Sequence, residues 1–551
     1  MRARHAVASL LAGLAACSPP TPVADLVVFG PVWTGDSTTP TAEAVAVAGD
    51  SILAVGDSAT IAALVGEGTE VIHAPGGLVT PGLVDDHVHF SDGGAQLASV
   101  DLRDAATPAE FIARIKAFVA TQPAGTWILG GVWDHERWGG TPLPERSWID
   151  SITPDHPVFV QRLDGHMALA NSKALALAGI TRSTADIPGG TILRDARGEP
   201  TGLLKDEAMG PVFRVIPPPT DLQADSAVAA AMRHANRKGL TGVVAVSAPW
   251  HEIAATRRLR AAGQQTLRVA FHPMLGDWRR VADTLAAHGP GDDWIRLAGV
   301  KGFVDGSLGS TTALFFRPYL DEPGSTGLMV TPEADLRAWI GAADSAGLQV
   351  VVHAIGDRAN ALLLDIFDSV ATAHGPRDRG FRIEHAQHLR AEEIARLAPL
   401  GVLASMQPYH AADDGRWAAK RIREPELAGT YAFRAILDAG ATLLFGSDWY
   451  VAPLDPVLGI WAAVARQTID GANPEGWHPE QRITVDEALR AYTSANAYGM
   501  FAEARRGMLK PGMLADITVL DRDLRAIPAA EIRDAEVVAT VVGGAVVYRR
   551  R

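Results

Sequence analysis

Between residues 80 and 505 the chain alternates short apolar runs with Ala-rich stretches of helical periodicity. The runs fall at 83–87, 157–162, 242–246, 268–272, 298–302, 349–353, 381–385, 402–406 and 442–446. Helical spacing is clearest at 333–346 ("EADLRAWIGAADSA") and 359–373. Repeated strand–helix alternation predicts an α/β fold with a parallel sheet, and about eight such units predict a (β/α)8 barrel. Nine runs are one too many. The stretch 100–240 is rich in tryptophan and loop residues and exceeds an ordinary strand-to-helix connection. It reads as an insertion after the first barrel strand, with 157–162 inside it. The flanks have a different texture. "DLVVFG", "AVAVAGDSILAVG" and "TEVIHAPGGLVTPG" near the start, and "GMLADITVLDRDL" and "VVATVVGGAVVYR" near the end, are valine-rich and broken by Gly and Asp. They predict one small β-sandwich built from residues 25–80 and 506–551, flanking a barrel body at 81–505.

With 551 residues, 47% of them hydrophobic and 21% charged, the chain can bury a large core in two or three units. A net charge of −13 gives no reason to expect a nucleic acid partner. The sequence leaves a homodimer open.

The first twenty residues, "MRARHAVASLLAGLAACSPP", stand apart. Arg2 and Arg4 precede an apolar stretch over 6–16, the pattern of a secretory signal and too short to span a membrane as a helix. Cys17, the only cysteine, closes that stretch, and "LAAC" resembles a bacterial lipobox. This predicts a signal peptide over 1–17, lipidation of Cys17 and a tether over 18–24. The alternative is an ordinary cleaved signal with an incidental cysteine. A chain with no second cysteine has no internal disulfide. Lipidation would hold the protein at the cell envelope. Ser18, not an aspartate, follows the cysteine, which favours the periplasmic side of the outer membrane.

Candidate chemistry begins at "TPGLVDDHVHF", residues 80–90. On a strand, alternate side chains share a face, so His87 and His89 point the same way. In a chain with 17 histidines one such pair is weak evidence. Barrel active sites lie at the C-terminal strand ends, so the residues that close the other runs decide the matter. They are Lys301 in "LAGVKGFVDGS", His353 in "LQVVVHAIGD", His385 in "FRIEHAQ" and Asp448 in "TLLFGSDW". Four histidines, a lysine and an aspartate recur where a barrel would gather them. That is a metal-ligating set.

This ordered set resembles the amidohydrolase superfamily. "HAIGD", "IEHAQ", "GSDW" and "VKGFVDGSLGSTTA" resemble its YtcJ-like branch, which contains N-substituted formamide deformylases (amidohydrolase family 3). The likeness runs from about residue 25 to the C-terminus. It implies a distorted (β/α)8 barrel with a small terminal β-sandwich. It also implies two divalent metal ions, with zinc suggested by the mix of imidazole and carboxylate. His87, His89 and Asp448 would hold one ion and His353 and His385 the other. Lys301, carboxylated by CO2, would bridge them as a carbamate. Asp448 would carry the proton from the attacking water to the leaving amine. "DGH…NS" resembles a family element that places Asp164 and His166 over the site; a loop histidine satisfied locally is the alternative for His166. Gln407 and His410, just after a strand end, are expected to touch substrate, and Trp449 to wall the pocket. Two departures bear on substrate preference: Asp86 stands where relatives carry serine, and Tyr450 where they often carry proline. The activity implied is hydrolysis of a non-peptide C–N bond in an N-substituted amide or formamide. Cyclic amides, deamination and lactone-type hydrolysis would use the same ligands. A non-enzymatic solute-binding lipoprotein is the rival from another class; it does not require a complete ligand set.

Expressed in a bacterium fed labelled palmitate, the protein should take up label, and Cys17→Ser should abolish it. Release of unlabelled soluble protein would overturn the lipobox reading.

Overall fold

The computed structural model describes residues 22–551, so Cys17 and the signal segment lie outside the described residues. Nine short strands form two parallel sheets at the centre. In one, β1 (Leu83–Val88), β2 (Leu240–Val246), β3 (Arg268–His272) and β4 (Ile295–Leu297) pair in the order β4-β3-β2-β1. In the other, β5 (Gly299–Phe303), β6 (Gln349–Ala354), β7 (Arg382–His385), β8 (Leu403–Met406) and β9 (Leu443–Phe445) pair in chain order. Ala298 alone separates β4 from β5, so the apolar run at 298–302 sits across a break. Single parallel bridges, from Met274 just after β3 to Lys301 and from Val88 to Trp449, connect the two sheets.

These strands are buried on both faces, which explains their near-continuous apolarity. Every residue of β2, "LTGVVAV", is buried. Helices cover the outside. The helix Asp221–Arg237 starts at a capping box, in which Thr220 accepts from the Gln223 N–H and the Gln223 side chain accepts from the Thr220 N–H. It turns Val228, Ala231, Met232 and Ala235 into the core, at the spacing a single helix face requires. The helices predicted by periodicity are present at Glu333–Ser345 and Asp357–His374.

The insertion builds a sheet of its own. Its strands run in the order Gly190–Arg194, Pro200–Asp206, Met167–Ala170, Phe159–Arg162, Gly130–Trp133 and Val100–Asp101. Its core gathers Val100, Phe111, Trp133, Val160 and Leu169, and Phe111 meets Trp133, Trp138 and Trp148 edge-on. The tryptophans that marked this stretch in the sequence are largely structural.

The two ends of the chain do meet, in one continuous eight-stranded sheet that curls so that Gly544 lies against the Gly49 carbonyl and Arg549 pairs with Glu70. The reason is Leu78–Pro81. It pairs antiparallel with Ile517–Leu520 on one side and bridges to Leu26–Trp33 on the other, so the halves join edge to edge. Both faces of this sheet are covered: Leu26 and Val28 pack one way, Val27 with Ala44, Ala46 and Ile61 the other. Asp516 ties it to the parallel sheet. Its carboxylate accepts from Arg268 Nε at 2.8 Å and from a terminal guanidinium nitrogen at 3.0 Å, with both side chains buried.

Removing one partner of a buried ion pair strands the other charge, at a cost of about 3–5 kcal/mol. Asp516→Ala should therefore lower unfolding stability by that amount in urea titration. Asp516→Asn, which keeps an acceptor, should lose clearly less.

Candidate metal centre and pocket

The C-terminal ends of β1, β5, β6, β7 and β9 converge on one pocket. His87, His89, Lys301, His353, His385, His410, Asp448, Asp164 and His166 all line it. His87 and Lys301 are wholly buried and His353 nearly so. His385 and Asp448 sit in left-handed backbone, at φ 75° and 59°. Such conformations cost of order 1–3 kcal/mol and persist where surrounding structure imposes them. Here they turn a strand end so that its side chain faces inward.

The ligand atoms of His87, His385 and Asp448 lie within 4.8 Å of one another. Ring centroids are 4.9 Å apart for His87–His385 and 4.5 Å for His353–His385. Asp448 Oδ1 is buried with no hydrogen-bond partner, although His89 Nε2 is 3.2 Å away and His87 Nε2 3.4 Å. Lys301 Nζ stands 3.5 Å from His87 Nε2. His89 and His353 lie outside the tight group of three.

Three of these histidines, His87, His385 and His353, are held from behind. His87 Nδ1 is 2.5 Å from Glu384 Oε2, and His385 Nδ1 is 2.7 Å from Gln407 Oε1. Carboxylate and amide oxygens only accept, so both rings donate from Nδ1 and leave Nε2 with a free lone pair. His353 is turned the other way: its Nε2 meets the Gly306 carbonyl at 3.0 Å, which frees Nδ1. Burial, reinforced by neighbouring positive groups, pushes all three imidazoles well below their usual range. Burial raises the Asp448 carboxyl, but His87 and His89 beside it outweigh that and hold it ionised. Burial pushes the Lys301 ammonium down to about 8, against the pull of Glu384 and Asp448. The result is neutral imidazoles, an anionic carboxylate with an orphan oxygen and a lysine able to lose its proton. A divalent cation fits this donor set.

The pocket wall comes largely from the insertion. Asp164 receives Arg162 at 2.7 Å and Ser310 Oγ at 2.8 Å, and also the Ser307 hydroxyl, which pins the turn before Met167–Ala170 onto the loop after β5. His166 Nδ1 lies 2.5 Å from Asp206 Oδ1, and its ring sits 5.0 Å from that of His353. His166 is thus satisfied by a buried carboxylate and also faces the site. His410 Nε2 is buried in the pocket without a partner.

Two expectations need correction. Gln407 does not line the pocket; it is fully buried and spends its oxygen on His385. Trp449 does not wall it either. Its ring stacks on His234 and is covered by Gly93, because the turn after Asp448 sends it behind β1. Tyr450 comes nearer instead, 5.9 Å from His89 between ring centroids, with its hydroxyl on Gln161 at 2.7 Å. Glu384 and Arg382 carry no role in the sequence reading. Their signal was there: two charges at alternate positions of the strand "RIEH" have to share a partner if the strand is buried.

Residues 70–548 match the model of the amidohydrolase family. The chain belongs to that family. Across 96% of its length this amidohydrolase is 40% identical to the protein LONG AFTER FAR-RED 3 of Arabidopsis thaliana, covering 92% of that protein. It is 31% identical to the putative amidohydrolase YtcJ of Bacillus subtilis, over 88% of this chain and 91% of that one. It is 28% identical to the N-substituted formamide deformylase of Arthrobacter pascens, over 96% and 99%. Among solved structures, an uncharacterized metal-dependent hydrolase from Pyrococcus horikoshii superposes with a TM-score of 0.72 at 29% identity, covering 92% of this chain and 99% of that one. The amidohydrolase is accordingly a hydrolase, and its motifs place it with YtcJ and the deformylase.

Proposed function

We propose that this amidohydrolase cleaves the carbon–nitrogen bond of an N-substituted amide or formamide, using two divalent ions. The observation that carries the reading is the meeting of His87, His385 and Asp448 in one buried group, with an orphan carboxylate oxygen turned toward bare ring nitrogens. Likeness to the deformylase supports the substrate class. The two parallel sheets, joined by bridges on both sides, are read as one distorted (β/α)8 barrel.

His87, His89 and Asp448 would hold one ion, His353 and His385 the other. Zinc suits imidazole with carboxylate. Lys301 at about 8 keeps a fraction of neutral amine near neutral pH. That amine can add CO2 and lose a proton, which gives a carbamate whose single negative charge is shared by two oxygens that could face the pair. When bound, such ions supply Lewis acidity, which acidifies water and polarises a carbonyl. The remaining work belongs to the chain. Asp448, whose carboxylate stands beside His87 and His89, takes the proton of the attacking water and passes it to the departing amine nitrogen. The C–N bond breaks as that nitrogen is protonated, leaving a free amine and a carboxylic acid, formic acid where the substrate is a formamide. His410, Asp164 and His166 line the space where the substituents would lie. The same donor set serves cyclic amides, deaminations and lactones, and a panel of N-acyl amines against those three classes decides between them. Lipid anchoring at Cys17 would place this reaction in the cell envelope.

Elemental analysis of the purified protein should find about two divalent ions per chain, the number a shared hydrolytic site uses. One ion or fewer at full activity would sink the binuclear assignment. Asp448→Asn, loaded with zinc, should keep its metal and lose a factor of about 10²–10⁴ in kcat with little change in KM, the usual cost of a missing general base. His353→Ala should lose one ion and recover partly in excess metal. Near wild-type turnover by the Asn variant across pH 6–9 would assign the proton transfer to another group.

A further inference from the structure

Behind His87 lies a chain of buried charges that reaches from β7 back to β1. Arg382, Glu384 and Asp86 are all fully buried. Arg382 donates to Asp86 Oδ1 at 2.9 Å and to the Asp86 carbonyl at 3.0 Å. On its other side it places two nitrogens on one oxygen of Glu384, with Nε at 2.8 Å and a terminal nitrogen at 2.7 Å from Oε1. The second oxygen, Oε2, is left for His87 Nδ1 at 2.5 Å and for the Ser405 hydroxyl at 2.8 Å. Arg382 therefore decides which Glu384 oxygen faces the histidine, and Asp86 fixes Arg382.

We propose that Asp86 and Arg382 are positioning residues that, through Glu384, lock His87 in the tautomer with its proton on Nδ1 and its Nε2 bare toward the metal. This rests on the reading of His87 as a ligand. A neutral imidazole carries one proton on one of two nitrogens, and only the bare one can ligate. Outer partners of this kind are worth about 10–100-fold in metal affinity. Asp86 takes its place here as the brace of Arg382, and its carboxylate is engaged away from the site.

The arrangement makes Glu384→Gln informative, because the variant is nearly isosteric. An amide has one accepting oxygen and one donating nitrogen. Arg382 offers two N–H groups to the Oε1 position and nothing that accepts, so the amide oxygen must sit there. The amide nitrogen is then forced toward His87. The imidazole answers by accepting at Nδ1 and moving its proton to Nε2, which blocks ligation. Ser405 can rotate its hydroxyl and does not oppose the switch. Asp86→Asn differs: its oxygen still accepts from Arg382, so the brace survives.

The test is zinc occupancy by elemental analysis after dialysis against graded zinc buffers, read together with the melting temperature of the metal-free protein. Glu384→Gln should raise the zinc concentration at half occupancy by about 10–100-fold, with any fall in the metal-free melting temperature too small to account for the loss of metal. Asp86→Ala, which removes the acceptor that braces Arg382, should weaken zinc binding in the same direction as Glu384→Gln, while Ser405→Ala should bind zinc as the wild type does. Nitrogen-15 spectra of histidine-labelled, metal-free wild type, assigned by loss of one signal set in His87→Asn, should show His87 protonated at Nδ1; this needs no other variant to fold. Unchanged zinc affinity in Glu384→Gln, a fall in its metal-free melting temperature that accounts for the metal loss, or a His87 protonated at Nε2 would each overturn the inference. Wild-type protein that takes up no zinc would instead overturn the metal reading itself.

Discussion

Arg382 holds two carboxylates, Asp86 and Glu384, in a space that excludes water, and the pocket end of the parallel sheets is arranged around that contact. An isolated ion moved from water into such an interior loses several kcal/mol of solvation, and only close partners return it. The guanidinium supplies them on both sides because its planar fork can face two acceptors at once. The consequence reaches the chemistry. Glu384 is left with one free oxygen at one place, so His87 has one way to turn. Gln407 does the same for His385, and the Gly306 carbonyl for His353. The candidate ligands are preorganised by groups that do not line the pocket.

The insertion completes the pocket that the strands begin. Arg162, Asp164 and His166 come from one hairpin, and Asp164 is fastened by Ser307 and Ser310 to the loop that follows Lys301. Arg103, also in the insertion, donates to the Val451 carbonyl at 2.7 Å and also to the Tyr450 carbonyl, and so fixes the turn just beyond Asp448. The inserted sheet is thereby tied to the ends of two strands that carry candidate ligands. At the far side of the molecule, Arg268 and Asp516 tie the terminal sheet to β3 in the same manner. In each case the joint between units is a hydrogen bond made by a charged side chain, which fixes direction as well as distance, where apolar packing alone would allow sliding.

The sequence by itself determined the strands and the candidate ligands. Buried parallel strands need unbroken apolar runs, and helices between them need a repeat of 3.6, so both patterns survive in one dimension. Polar residues that close several such runs in order have few structural explanations, which is why His87, Lys301, His353, His385 and Asp448 stood out. Tertiary structure alone decided what each side chain faces. Glu384 and Arg382 were visible as charges on a buried strand, but their partners lie about 300 residues away, and no local pattern names them. Gln407 and Trp449 sit beside strand ends in the sequence, yet one turns to brace a ring and the other leaves the pocket, because a single left-handed residue at Asp448 redirects the chain. The joining of the terminal strands edge to edge was equally hidden: alternation predicts that a strand has a buried face, whereas which edge it pairs along is set by hydrogen bonds between segments more than 400 residues apart.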